Sequence, residues 1–303
     1  MRKGLKFEVQ LHARLGPALE HDRSLADLTS FKIGGTADLF AAVHDEEQLS
    51  AVMAAAYRHS VPVFCLGAGT NLLVSDRGIR GLVLTLGAGL GSVAVDGNHV
   101  SAGAAMQFRT LVESLVEQGL AGLEFGEGIP GTVGGGLVMN AGAFGGEIAR
   151  VVKLVRGVSE TGELCALTSQ EVGFAYRRSA LPRGFVITRV EFALEAGDRE
   201  TLWTQVRAIR ARRAARQPDG YPNAGSVFKN PPGNFAGHLL EAAGLKGTRI
   251  GGAAFSCRHA NFIVNLGGAR ADDVRGLIEL AQDKVQQATG VLLEPEVKLV
   301  GEW

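Results

Sequence analysis

Cysteine is scarce. Cys65, Cys165 and Cys257 lie about a hundred residues apart in a chain of 303, with no Cys-x-x-Cys or Cys/His spacing between them. That spacing argues against a disulfide framework or a thiolate metal centre, and the thiols read as small apolar residues in a reducing compartment. An excess of charge is also missing: Lys and Arg total 31, as do Asp and Glu. The balance argues against the basic footprint of a nucleic-acid binder or of a protein held to an acidic membrane. Long hydrophobic runs are lacking too. The early stretch GLKFEVQLHARLG carries charges where a secretory signal needs an apolar block. The uncharged run 128–146 is interrupted by Pro130, Asn140 and eight glycines. A bilayer helix takes about 20 mostly apolar residues, so this run does not qualify. The expectation is a soluble, cytoplasmic protein, monomeric, without nucleic-acid or membrane partners and without a metal.

Glycine, by contrast, is abundant: 42 of 303 residues, about twice the usual ~7%. No triplet period runs through these glycines. They cluster, as they do where backbone approaches a ligand or takes positive φ. With 46% hydrophobic and 20% charged residues the chain can bury proper cores, and its length predicts two or three domains.

Up to about residue 90 helix and strand alternate. Leu49, Val52, Met53 and Ala56 recur at helical spacing behind the acids of DEEQL. VPVFCLG predicts a buried strand and GLVLTL (81–86) the next. Asp96-Gly97-Asn98 predicts a hairpin within SVAVDGNHV. A helix with Leu111, Leu115 and Val116 on one face follows. Strands VVKLVRGVSE and ELCALT flank Thr161-Gly162, SQEVGFAYRRSAL reads as helical, and GFVITRVEFAL as a strand. From Asp198 an arginine-rich helix runs to about Arg216 and stops at QPDG. HLLEAAGL predicts a short helix and NFIVNLG a strand. Val274, Leu277, Ile278, Ala281 and Val285 mark an amphipathic helix before the strand-like LEPEVKLVG. The pattern is α+β, not a continuous Rossmann repeat.

Two segments invite a pyrophosphate. GAGTN (67–71) lies between strands, where backbone N–H groups cradle phosphate, although Leu72 stands where the dinucleotide fingerprint has its third glycine. GIPGTVGGGLVMNAGAFGG is more specific, because an interior Gly costs ~0.5–1 kcal/mol relative to Ala and so many must serve something. IGG (33–35) is a weaker signal of the same kind. Arg207, Arg210, Arg212, Arg213 and Arg216 form either an exposed helix face or a local anion site.

TSFKIGG, GAGTNLLVSD, GIPGTVGGGLVMNAGAFGG, AYRRS, AGSVFKNP and LEPEVKLVG occur in order over almost the whole chain. In that order they resemble the UDP-N-acetylenolpyruvoylglucosamine reductases. The resemblance implies FAD and NADPH as cofactors and a UDP-sugar as substrate. It also implies an FAD-binding domain of the vanillyl-alcohol-oxidase type, made of two α+β subdomains (20–90, rejoined by 294–303, and 91–197). A C-terminal α+β substrate-binding domain (198–293) completes the chain. The interval from Ser179 to Gly225 is short and holds only Tyr221, which resembles the shorter, type II form of the family. An oxidase of sugars or alcohols on the same scaffold, or a nucleotide-binding module without turnover, are the alternatives.

The FAD contacts implied are Ile33, Gly34, Gly67, Ala68, Gly69, Thr70, Asn71, Leu72, Gly128, Ile129, Pro130, Gly131, Thr132, Gly134, Gly135, Asn140, Ala141 and Gly142. Reducing an enolpyruvyl ether needs hydride at one carbon, a proton at the other, and stabilisation of charge on the carboxylate side. The resemblance gives the proton to Ser226, carboxylate polarisation to Arg177 and support of the intermediate to Glu296. Arg177 is preferred to Arg178 because adjacent residues of one helix point apart and Tyr176-Arg177 fits the family's Tyr-Arg-x-Ser. Tyr176, Arg213, Arg216, Lys229 and Asn230 are the expected substrate contacts, with Arg207, Arg210 and Arg212 left as surface charges.

Overall fold

The computed structural model describes residues 2–218 and 220–303. Asp219, in the turn expected to end the arginine-rich helix, lies outside them. The chain divides into two compact units: residues up to 21 with 38–68 and 81–211, and residues 22–37 with 69–80 and 212–303.

The first unit begins with helix α1 (Arg2–Leu15), which sequence reasoning passed over. Its buried Phe7, Leu11 and Leu15 recur every four residues, a helical stripe among charges. It packs on α2 (Glu46–His59), capped by Asp45, whose carboxylate accepts the Gln48 N–H at 2.7 Å, and closed by Ser60 at φ 56°. Leu49, Val52, Met53 and Ala56 turn inward as their spacing predicts, onto Leu39, Ala41, Leu82 and Leu84. Strands Leu19–Ser24, Thr36–Val43, Ile79–Leu86 and Val63–Leu66 lie side by side in that order. Val63–Leu66 is therefore an edge strand, and only Leu66 of it is buried, with Cys65 exposed. The fully buried strand expected there is corrected.

A five-stranded antiparallel sheet forms the rest of this unit, ordered Leu164–Thr168, Val152–Val158, Val186–Ala193, His99–Gly103 and Val93–Asp96. The predicted hairpin closes with Asp96 opposite His99. Helix α3 (Phe108–Glu117) lays Leu111, Leu115 and Val116 on the sheet, and the short α4 (Val133–Val138) lies in the glycine-rich segment. Helix α5 is only Ser169–Val172. Its Thr168–Glu171 capping box starts it well, but Gly173 at φ 57° ends it after one turn. The helix expected through residue 181 is thus corrected: Ala175 and Arg178 exchange backbone hydrogen bonds of 3.0 and 3.1 Å, making a turn of Tyr176 and Arg177. Helix α6 (Arg199–Arg216) matches its prediction.

In the second unit a four-stranded antiparallel sheet runs Asn223–Ser226, Phe262–Asn265, Ala253–Phe255, Arg249–Ile250. Helices α7 (Ala236–Ala242) and α8 (Ala271–Thr289) pack here, the latter burying the five apolar residues its spacing nominates. Asp76 accepts the Ala271 and Asp272 N–H groups at 3.0 and 3.4 Å, capping α8 from the SD of LLVSD. Of LEPEVKLVG only Lys298–Val300 is a strand, parallel to Leu72–Val74. Residues before it are irregular, so a strict face alternation of Glu294 and Glu296 does not apply.

Candidate active site

In the first unit the two glycine runs adjoin. A methyl group on Gly67 would sit 3.1 Å from Thr132 Oγ1, and that oxygen accepts the Gly135 N–H at 3.2 Å to start α4. The glycines here divide by purpose. Gly131 takes φ 123°, which a side chain resists, and Gly134 lies so close to Ala104 that a Cβ would be 3.0 Å away. Gly135 is needed for neither reason. It is exposed, and an added Cβ would meet only Thr132 Oγ1 at 3.4 Å; on Gly136 it would find Ala141 at an ordinary 3.6 Å. Bare backbone with no internal use suits a group lying against it, and a pyrophosphate-bearing flavin fits that surface.

Asn140 uses its side chain on the fold. Buried and at φ 42°, it donates from Nδ2 to the Ala175 carbonyl (3.0 Å) and accepts the Ala149 N–H (3.2 Å). Ser179 adds two hydrogen bonds to the Val138 carbonyl, of 3.1 Å from its N–H and 3.0 Å from its hydroxyl. The Tyr176–Arg177 turn is therefore fastened at both ends to the glycine-rich segment. Arg177 sits at φ 56°, rare for a residue with a side chain, and strain of this kind collects at functional sites. Its guanidinium lies 5.1 Å from the Tyr176 ring centre, and a Cβ on Gly142 would come within 3.1 Å of its Nη1. The tighter limit on Gly142 is the Gly146 carbonyl, 2.6 Å from where a Cβ would sit.

Arg210 of α6 has the exposure expected of a surface charge, and it is also paired with a buried acid. It binds Glu127 Oε1 through Nε (2.9 Å) and Glu113 through Nη2 (2.8 Å), and these acceptors, Glu127 first, raise its basicity. Glu127 is only 1% exposed, directly precedes Gly128, and its Oε2 has no hydrogen-bond partner. Nothing local in FGEGIPG marks this buried acid; its partner is 83 positions away.

In the second unit Ile33 is core, not surface: it is 2% exposed, with its backbone N–H and C=O both bonded to Thr29 Oγ1. Gly34 lies against Val74, and Gly69 is so tight on the Leu28 carbonyl that a Cβ would be 2.3 Å from it. Ser226 and Glu296, 70 residues apart in sequence, come together. The Glu296 N–H donates to the carbonyl of Val227, next to Ser226, at 2.7 Å, and Val297 shares that acceptor at 3.3 Å. Asn71 joins them, donating from Nδ2 to the Glu296 carbonyl at 3.1 Å and accepting the Lys298 N–H at 3.0 Å. Lys229 pairs instead with Glu294, and Asn230 accepts the Ala236 N–H at 3.0 Å. Arg213 is half-buried and Arg216 exposed on the last turn of α6. Two residues went unpredicted here. Arg258 holds the Ala214 carbonyl at 2.7 Å. His259 is held below its ordinary pKa by burial first, then by Lys246, with Arg216 adding to it.

Comparison with known proteins decides the family. Residues 37–168 match the FAD binding domain and residues 217–300 the C-terminal domain of UDP-N-acetylenolpyruvoylglucosamine reductase. UDP-N-acetylenolpyruvoylglucosamine reductase 2 of Symbiobacterium thermophilum is 48% identical over 274 residues, 90% of this chain and 89% of its own. The chain belongs to the UDP-N-acetylenolpyruvoylglucosamine reductase family. The Rubrobacter xylanophilus member is 44% identical over 95% of this chain and 97% of its own. The crystal structure of the Thermus caldophilus reductase superposes with TM-score 0.81 at 36% identity, covering 93% of this chain and 97% of that one. A glucose-oxidase variant of Phl p 4 shares the fold alone: TM-score 0.51 and 17% identity over 64% of this chain and 44% of that one. The fold is the expected α+β with a flavin-oxidase type of FAD-binding domain, and the protein is an FAD-dependent oxidoreductase. No helix among the described residues is long and apolar enough to cross a membrane.

Proposed function

We propose that this reductase uses NADPH to convert UDP-N-acetylglucosamine enolpyruvate to UDP-N-acetylmuramate, in the cytoplasm and as a monomer. FAD, when bound, would supply the hydride chemistry between NADPH and the enolpyruvyl group. The protein's own residues do the rest. Gly67 with Gly128–Gly136 leaves backbone for the FAD pyrophosphate, and Asn71 ties the GAGTN segment to Glu296. Arg177, fixed by the Asn140-anchored turn, polarises the substrate carboxylate so that charge arriving with the hydride is stabilised. Ser226 gives a proton to the carbon that did not receive hydride, and Glu296 supports that transfer. Arg213 and Arg216 offer guanidinium forks to a diphosphate or to the NADPH phosphate. The segments 20–90 with 294–303, 91–197 and 198–293 are the proposed flavin-binding and substrate-binding parts.

The observation that carries the reading is the 2.7 Å bond from the Glu296 N–H to the Val227 carbonyl, which brings the proposed acid–base pair onto adjoining backbone. The test separates the half-reactions. Purified protein is expected to be yellow, to be bleached anaerobically by NADPH and to regain its colour with the enolpyruvyl UDP-sugar. Ser226→Ala keeps bleaching and loses rapid recolouring; full-rate recolouring in that variant removes Ser226 from the chemistry. Oxygen uptake with a sugar, and indifference to NADPH, is the outcome that favours an oxidase.

A further inference from the structure

Asn261 is 3% exposed and spends its whole amide on one residue. Its Oδ1 accepts the Phe228 N–H at 2.9 Å and its Nδ2 donates to the Phe228 carbonyl at 2.8 Å. Its own carbonyl accepts the Val227 N–H at 2.9 Å. The reason lies in the strand. Ser226 opposite Phe262 is the last pair of Asn223–Ser226 with Phe262–Asn265; beyond it Phe228 bridges Pro295 on one side and turns its N–H and carbonyl to the Asn261 side chain on the other. The carboxamide, setting an acceptor beside an NH2 donor, stands in for a strand's peptide group on that side. The Val227 carbonyl, facing the other way along the same residue pair, takes the Glu296 and Val297 N–H groups. One buried side chain therefore sets the backbone that carries Ser226 and receives Glu296.

The loop around Asn261 is itself held. Its N–H donates to His259 Nδ1 at 3.2 Å, so that nitrogen is an acceptor and the imidazole's proton sits on Nε2. The charged groups near that imidazole are Lys246, Arg216 and Glu241. Phe228, Ala260 and Ile263 are buried in the same apolar cluster.

We propose that Asn261 is a positioning residue that sets Ser226 and Glu296 in register for proton delivery, an inference that rests on the reading of Ser226 and Glu296 given above. It touches neither substrate nor flavin in this role and acts through Val227 and Phe228. A displacement of about 1 Å in a reacting group can cost about 100-fold in rate, and that is the expected scale.

The test is Asn261→Asp in the full-length FAD-loaded protein, with bleaching by NADPH and recolouring by the enolpyruvyl UDP-sugar followed separately across pH. The carboxylate still accepts from the Phe228 N–H but opposes the Phe228 carbonyl; protonated, it donates to that carbonyl again, and burial raises the pH at which this happens. Bleaching is expected at the parent rate. Recolouring is expected to be about 100-fold slow at high pH and to recover toward the parent on acidification, while Asn261→Leu stays slow throughout. A structural filler would not produce that pH-dependent rescue. Parent-rate recolouring in Asn261→Asp at every pH, with Ser226→Ala slow, overturns the inference alone. Parent-rate recolouring in Ser226→Ala overturns the reading beneath it. Loss of flavin, or equal slowing of both half-reactions, also overturns the inference, because it marks Asn261 as general scaffold.

Discussion

Removing Arg210 leaves a buried acid stranded beside the glycine-rich segment. In Arg210→Met, Glu127 keeps only Arg109, whose Nε is 3.9 Å from Oε1, while Glu113 retains Arg109 at 3.1 Å. Breaking a buried ion pair from one side costs about 3–5 kcal/mol. Arg210 is 43% exposed, so water already screens part of the interaction and about 2–3 kcal/mol is the better figure. For a unit of this size that is a drop of roughly 4–12 °C in Tm. The double variant Glu127→Met/Arg210→Met removes both charges and is expected to regain most of the loss, because no unpaired buried charge remains. Thermal melts of the parent, both singles and the double make the measurement. A single variant within 1 °C of the parent (roughly the resolution of such a shift), or a double no better than Arg210→Met, refutes the reasoning.

Gly135→Ala is expected to leave folding stability almost unchanged, since its Cβ meets only Thr132 Oγ1 at 3.4 Å, yet to weaken FAD binding by about tenfold or more, about 1.4 kcal/mol, in a flavin-fluorescence titration. Gly134→Ala, tight on Ala104, is expected to destabilise as well. Asp76→Ala uncaps α8 and is expected to cost about 0.5–2 kcal/mol, seen as a lower urea midpoint with unchanged slope. His259, held below its ordinary pKa by burial, charges in the unfolded chain before it does in the folded one. Its contribution is therefore lost as pH falls from about 6.5 toward the depressed folded value, and levels off below it. His259→Gln is expected to flatten the fall in Tm across that window.

Much was open to reading because it is local. The stripe at 274, 277, 278, 281 and 285 is α8 because a helix brings those positions onto one side, and the acids ahead of Leu49 mark where α2 begins. Six short motifs in order carried the family, the flavin and the names of Arg177, Ser226 and Glu296. Their surroundings were not local. Helical spacing carried SQEVGFAYRRSAL too far, because one glycine at φ 57° outweighed it and turned Tyr176–Arg177 into a corner hung from Asn140. Lys229, three residues from Ser226, is paired with Glu294, while Glu296 is tied to Val227. The fate of Arg210 depended on Glu127, and that of Phe228 on Asn261, 33 positions on. Chain periodicity determined α2, α3, α6 and α8, and glycine clustering where bare backbone would lie. Which buried polar groups meet was decided only by the tertiary structure, since a desolvated donor or acceptor must find its partner wherever the fold brings one.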